Sequence, residues 1–179
     1  MTRTAGPLLL LLLVLLGAGL RLQESARSGH LREGEAGALA TLANLQEACR
    51  DLVRDGRPRP DLAGAALAAL PALRRLEGPS TDAIAYATDD AYVFGIASQT
   101  RRDERSGHMQ PGWILRAWPA RFGITGNREF QVTDDGQAWE GQNRLGRSGT
   151  EYAFPPDFPD PEIGQPRTPW WPVDLPAHR

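Results

Sequence analysis

The chain has 179 residues, 20 of them basic and 22 acidic, for a net charge of -2. That length suits one domain with a modest core, and the balanced charge argues against a nucleic-acid partner and against an acidic tail. The single cysteine, Cys49, excludes an internal disulfide and a cysteine-based zinc site, so packing alone must hold the fold.

All 20 cationic side chains are arginine, which with the abundance of Ala, Gly and Leu reflects a GC-rich coding sequence more than a function. The chain opens with Arg3 and then the unbroken apolar run Pro7 to Leu20. A basic start followed by an apolar stretch is the pattern of an export signal or membrane segment. A buried core helix usually keeps polar groups on one side, and this run has none. From Ala5 the apolar stretch covers about 24 Å of helix, short of the ~30 Å hydrocarbon core. Arg21 can snorkel and Leu22 adds length, so a retained anchor is the reading taken. The small residues Gly17, Ala18 and Gly19 offer a weak cleavage site and keep a cleaved signal as the alternative.

Glu33 to Asp55 is expected to be a helix. Leu39, Leu42, Leu45 or Gln46, Cys49, Leu52 and Val53 recur at three- and four-residue spacing and form one apolar stripe. Glu33 and Glu35 suit an N-terminal turn, Arg50 and Arg54 a C-terminal one. Gly56 is placed to cap the end, and Pro58 and Pro60 to stop it. Cys49 lies on the stripe as a core filler. Asp61 is the expected cap of a second, Ala-rich helix from Leu62 to about Leu76, broken or kinked at Pro71. Gly78-Pro79-Ser80 reads as a turn.

The period then changes to two. Ala91 to Ser98 predicts a strand with Tyr92, Phe94 and Ile96 on one face. Thr100 to Gly112 is polar and reads as a loop. Trp113 to Pro119 predicts a central strand, with Ile114 and Trp118 pointing one way and Trp113, Leu115 and Ala117 the other. Glu129 to Thr133 and Gln137 to Glu140 predict a hairpin across Asp134-Asp135-Gly136, with Phe130, Val132 and Trp139 inward. From Arg147 onward the chain carries eight of the fifteen prolines and reads as an extended tail. Trp170-Trp171 would dock that tail back on the domain.

Residues that could carry chemistry are each met by a plainer reading. Gly123-Ile124-Thr125-Gly126 lacks the Lys-Ser/Thr of a phosphate loop, and its glycines suit positive-φ turn positions. Asp134-Asp135-Gly136 is a type I′ or related hairpin turn before it is a calcium site, and Asp89-Asp90 a polar turn. His30, His108 and His178 are too scattered for a metal trio. Gly-x-Ser-x-Gly does not occur. Arg101, Arg102 and Arg105 are a solvated loop before they are an anion or lipid-headgroup site. The sequence assigns no catalytic, cofactor-binding or metal-ligating residue.

Two stretches carry a family resemblance. Glu33 to Gln46 is an acidic-small pattern running into Leu-x-x-Leu and a glutamine. Gly112 to Gly136 contains Ala117-Trp118-Pro119, Gly123-Ile124-Thr125-Gly126, Arg128, Phe130 and Asp134-Asp135-Gly136. In this order, behind an apolar N-terminal helix, they resemble type IV pilin-like proteins and type II secretion pseudopilins, exported bacterial proteins. The resemblance implies a helix that runs out of the membrane into an α+β domain. The chain departs from the prepilin pattern in that Gly6 precedes Pro7 and no acid occurs before Glu24, so neither prepilin cleavage nor filament assembly is implied.

The expected organisation is an α+β chain: anchor and juxtamembrane helix over 1–29, an amphipathic helix packed on a small antiparallel sheet over 30–146, and a proline-rich extended tail over 147–179. The expected role is a non-enzymatic, pilin-like structural or interaction protein without a cofactor. It would be held in the bacterial inner membrane by its N-terminal helix, with its domain in the periplasm or outside the cell. Other envelope proteins would be its partners, and nucleic acid would not. The alternative is a cleaved, soluble periplasmic module that binds a ligand.

Overall fold

The computed structural model describes residues 5–56, 62–77, 84–102, 109–143, 146, 148–149 and 170–176; side chains are described from residue 26 onward, except at 98–102 and 109–111. The protein is α+β: one long helix, a short one, and a seven-stranded antiparallel sheet. Helix α1 runs unbroken over Ala5–Arg54, about 75 Å. Pro7 lies in its first turn, where a missing N–H costs nothing. Glu33 and Glu35 therefore stand mid-helix, not in a first turn as the acidic pattern suggested. Gly56, at φ 72°, closes the far end with its N–H on the Val53 carbonyl at 3.1 Å, the C-terminal cap expected of it.

Helix α2 covers Leu62–Ala68 only. The sequence led to a helix reaching Leu76, but the residue before a proline is pushed out of the α region, and Leu70 precedes Pro71. The chain turns there and enters strand β1, Arg74–Arg75, and after it β2, Ile84–Thr88. Both strands were missed, β1 because it is two residues long and β2 because Ala-rich segments carry little strand signal. Asp61 and Gly78-Pro79-Ser80 lie outside the described residues.

Strands β3, Tyr92–Arg102, and β4, Met109–Pro119, pair along their whole length, from Tyr92↔Pro119 to Arg102↔Met109. Thr100 to Arg102 and Met109 to Gly112 are thus strand, where polarity had suggested loop; a ladder partner fixes the backbone whatever the side chains. Strand β5 is Arg128–Thr133, β6 Ala138–Gln142 and β7 Trp170–Pro172. Each strand pairs with the next in sequence, which makes β4 the middle of the sheet, as its two apolar faces foretold.

The core lies between the helices and one sheet face. Leu42, Leu45 and Cys49 of α1 and Leu62 and Leu67 of α2 meet Tyr92, Phe94, Ile96, Trp113, Leu115, Phe130 and Val132. Gln46 is buried beside them, while Val53, placed on the stripe from the sequence, is 45% exposed. The other face holds Tyr86, Val93, Ile114 and Trp118. The facing of β4 is as the alternation required. That of Trp139 is not: it pairs with Gln131, whereas Ala138 pairs with Val132. Trp139 thus stands on the face opposite Phe130 and Val132, and Ala138 supplies the inward contact.

The second face carries a buried ion pair. Arg116 Nη2 donates to Glu129 Oε2 at 2.7 Å, the two side chains being 5% and 7% exposed. Trp170 of β7 covers the guanidinium, its ring centre 5.6 Å from Arg116 Cζ, a cation-π arrangement. The Trp118 indole N–H donates to the Gly149 carbonyl at 2.9 Å. Trp170-Trp171 thus returns to the domain as a seventh strand. Residues 150–169, with most of the proline-rich stretch, lie outside the described residues.

Candidate functional site

Two turns of the sheet lie against helix α1. Toward its C-terminal end, the β5–β6 turn lies over Arg50, whose Nη2 would be 2.7 Å from a Cβ at Gly136. Its loop, Asp134 to Gly136, is closed by the Thr133 N–H on the Gln137 carbonyl at 3.0 Å and by the Gly136 N–H on the Thr133 carbonyl at 2.9 Å. Only Gly136 has positive φ, at 91°; a type I′ turn needs two such residues, so this is a three-residue hairpin loop. Asp135 Oδ1 accepts from Thr133 Oγ1 at 2.5 Å and from the Gln137 N–H at 3.1 Å, which ties its carboxylate into the turn.

The second lies toward the N-terminus and uses the segment between β4 and β5. Arg27 donates from Nε and Nη2 to the Gly123 carbonyl, at 3.2 and 2.8 Å. A Cβ on Gly34 would collide with the Thr125 carbonyl, so the helix approaches the loop at backbone distance there. At the next residue, Glu35 Oε1 accepts from the Asn127 N–H at 3.2 Å, and Glu35 Oε2 lies 3.7 Å from Arg128 Nε. Arg128 also donates to Glu140 at 2.6 Å. That hydrogen bond, with the nearby carboxylates, pushes its pKa up despite partial burial.

Within the loop, the Thr125 hydroxyl donates to the Arg121 carbonyl and accepts from the Arg121 N–H, both at 3.1 Å, and the Gly123 N–H donates to the Gly126 carbonyl at 3.0 Å. Gly123 has φ 73°, the positive-φ turn position expected. Gly126 does not; a Cβ there would run into the Tyr92 ring, so the residue is small to let that ring lie over it. The Tyr92 hydroxyl donates to the Arg128 carbonyl at 3.2 Å and its ring lies 6.0 Å from that of Phe130. Burial first, then the charge of Glu35, raises the phenol's pKa. The Gly-x-Thr-Gly-x-Arg-x-Phe series is therefore a clasp that joins helix, loop and sheet.

At the tip of the clasp Phe122 is 41% and Ile124 59% exposed, while most other large apolar side chains described are covered. Sequence reasoning passed over both; the available signal was two large apolar residues alternating with glycine in a turn. A cleft of about 510 Å³ opens beside Phe122, between Arg32 and Glu35 of α1 and Arg128, Gln142 and Asn143 of the sheet. A larger one, about 710 Å³, lies between α1 and the Ala69 to Leu73 turn, edged by Glu47, Asp51, Asp55 and Asp89.

The other residues weighed from the sequence are dispersed. Asp89 Oδ1 accepts from the Ala91 and Tyr92 N–H groups at 3.0 and 2.7 Å, and Asp90 pairs with Arg74 at 3.1 Å, so both serve the β2–β3 turn. His30 lies 3.6 Å from Glu33 on the exposed helix surface. Arg105, His108 and His178 are outside the described residues, and only the backbone of Arg101 and Arg102 is described. Among the described residues no group of three His, Cys, Asp or Glu could hold a metal ion. Cys49 is buried and its thiol is pushed up to about 12 by desolvation. No family model, curated protein or solved structure matches the chain.

Proposed function

We propose that this chain is a pilin-like structural or interaction protein of the bacterial envelope, with no enzymatic role, anchored by the N-terminal part of α1. The observation that carries the reading is the continuity of α1: one rod bears the apolar run Pro7 to Leu20 at one end and is clasped to the sheet from Arg27 onward at the other. A cleaved signal has no need of a helix that continues without a break into the folded domain. Among the described residues no helix is long and apolar enough to cross a membrane; the apolar run belongs to the part of α1 whose side chains are not described. The reading places the anchor in the inner membrane as a single pass, with the sheet in the periplasm or outside the cell. The proline-rich stretch and the loops would meet other envelope proteins.

Membrane flotation combined with N-terminal sequencing tests it. The expected product floats with membranes and keeps the residues before Leu20. A soluble product beginning near Leu20 would replace this reading by the periplasmic ligand-binding module.

A further inference from the structure

We infer that the cleft between α1 and the sheet beside Phe122 is a binding site for an acidic sugar, a saccharide unit that carries a carboxylate. The inference goes beyond the proposed role and does not depend on how α1 is held.

Three observations converge. The first is the charge that lines the cleft. Its charged residues are Arg32, Glu35 and Arg128. Glu35 and Arg128 lie 3.7 Å apart, and Arg128 also donates to Glu140 at 2.6 Å, so these charges are answered within the protein. Arg32 is exposed and has no ion pair among the described residues. A guanidinium left over at a cleft matches a ligand carboxylate, which it holds by two parallel hydrogen bonds.

The second is the neutral polar lining. Gln142 and Asn143 line the sheet side of the cleft, and an amide side chain both donates and accepts, as a ligand rich in hydroxyls requires. Asn143 is 1% exposed and its N–H donates to the Asn127 carbonyl at 3.0 Å, so that side of the cleft is fixed in place.

The third is the aromatic wall. Phe122 lines the cleft and is 41% exposed. A Cβ on Gly146 would come within 3.4 Å of its ring, so the chain backs the ring closely there. The negative face of an aromatic ring packs well on the C–H groups of a sugar. The loop that carries Phe122 is braced by the Thr125–Arg121 and Gly123–Gly126 bonds, and little order is then lost on binding. The volume, about 510 Å³, falls in the range of small-ligand sites, about 300–1,000 Å³. An inorganic anion would use Arg32 and leave the ring bare. A purely apolar ligand would cover the ring and leave the amides and Arg32 unanswered.

The test titrates the isotope-labelled full-length chain, in detergent micelles, with digalacturonate, with its dimethyl ester and with inorganic phosphate, and follows the backbone amide signals by NMR. Millimolar digalacturonate should shift Phe122, Gln142 and Asn143 and leave the β5–β6 turn in place. The ester should bind about tenfold more weakly, the scale of one charge-assisted hydrogen bond. Arg32→Gln, at an exposed position, should keep the wild-type spectrum elsewhere and bring the acid down to the ester's level, and Phe122→Ala should weaken both. No shift of the cleft signals with digalacturonate overturns the inference. So does equal binding of acid and ester, an Arg32→Gln variant that still prefers the acid, or phosphate that reproduces the same shifts at the same concentration.

Discussion

Gly34 and Gly37 are one helical turn apart and nearly identical to a sequence reader, yet the structure gives them opposite roles. Nothing lies within 4 Å of a Cβ at Gly37, whereas one at Gly34 would meet the Thr125 backbone. Gly37→Ala should raise stability by about 0.5–1 kcal/mol, the usual gain from removing a helical glycine. Gly34→Ala should lower it by roughly 1–3 kcal/mol, as overpacking does. Urea unfolding of the two variants checks the sign, and equal shifts would show that the clasp does not close at Gly34. The Arg116–Glu129 pair is a second residue-scale case. Removing one partner strands the other charge in the interior, so Glu129→Ala should cost about 3–5 kcal/mol, while Arg116→Met with Glu129→Leu should come back to near the wild-type value or above it. Cys49 is the third. Its folded pKa lies above its unfolded one, so the unfolded chain loses this proton first as pH rises. The stability it contributes is complete below about 9 and is lost as pH climbs toward about 12. Ellman's reagent at pH 8 should leave the folded thiol untouched and label it promptly in urea.

Among the elements, β7 is the one with least support from its own sequence. It has three residues and ends in Pro172, and it joins the sheet through what its side chains cover. The Trp170 ring lies against Gly141, where a Cβ would come within 3.1 Å of it, and over the Arg116 guanidinium. Trp170→Ala should therefore cost roughly 1–3 kcal/mol, below the range for a fully buried tryptophan because the residue is only partly buried. It should also open the β6 edge, read as faster amide exchange at Ala138 and Glu140, whose backbone groups face β7. Unchanged exchange there would mean that β7 adds nothing to the sheet. Helix α2 shows the reverse dependence, since Pro71 limits it from within the sequence and its burial against α1 keeps so short a helix in place.

At the scale of the whole molecule the protein is a rod clasped at Arg27 to Glu35 and approached by the β5–β6 turn at Arg50, with Arg27 and Arg50 about 35 Å apart along α1. Tertiary contacts fix the helix between Arg27 and Arg50, and the segment before them is the part proposed to enter the bilayer. A charge at its centre would oppose that entry: Leu12→Arg should abolish membrane flotation, since it adds about 2.5–3.5 kcal/mol to insertion. The folded sheet should be unaffected, as shown by near-UV circular dichroism from the tryptophans of β4. Flotation equal to wild type would show that Pro7 to Leu20 does not enter the bilayer.

Much of this was written in the sequence because it depends on local rules. Period-two alternation set both faces of β4 and the core face of β3, and the stripe on α1 placed Leu42, Leu45 and Cys49 in the core. Gly56 and Gly136 marked the positions where positive φ was required. What the sequence could not reveal were effects of partners distant along the chain. The strand at Thr100 to Arg102 exists because Met109 to Pro111 pairs with it, and Trp139 changed face because the register put Ala138 opposite Val132. The apolar pattern marked Glu33 to Asp55 as a helix but could not show that it joins the N-terminal segment in one rod. The clasp was visible only as a motif. That Gly34 and Gly126 are small for the sake of Thr125 and Tyr92, residues some 90 and 30 positions away, is a fact of packing. Local sequence restricts backbone conformation, but close approach between distant segments is decided only when the chain is folded.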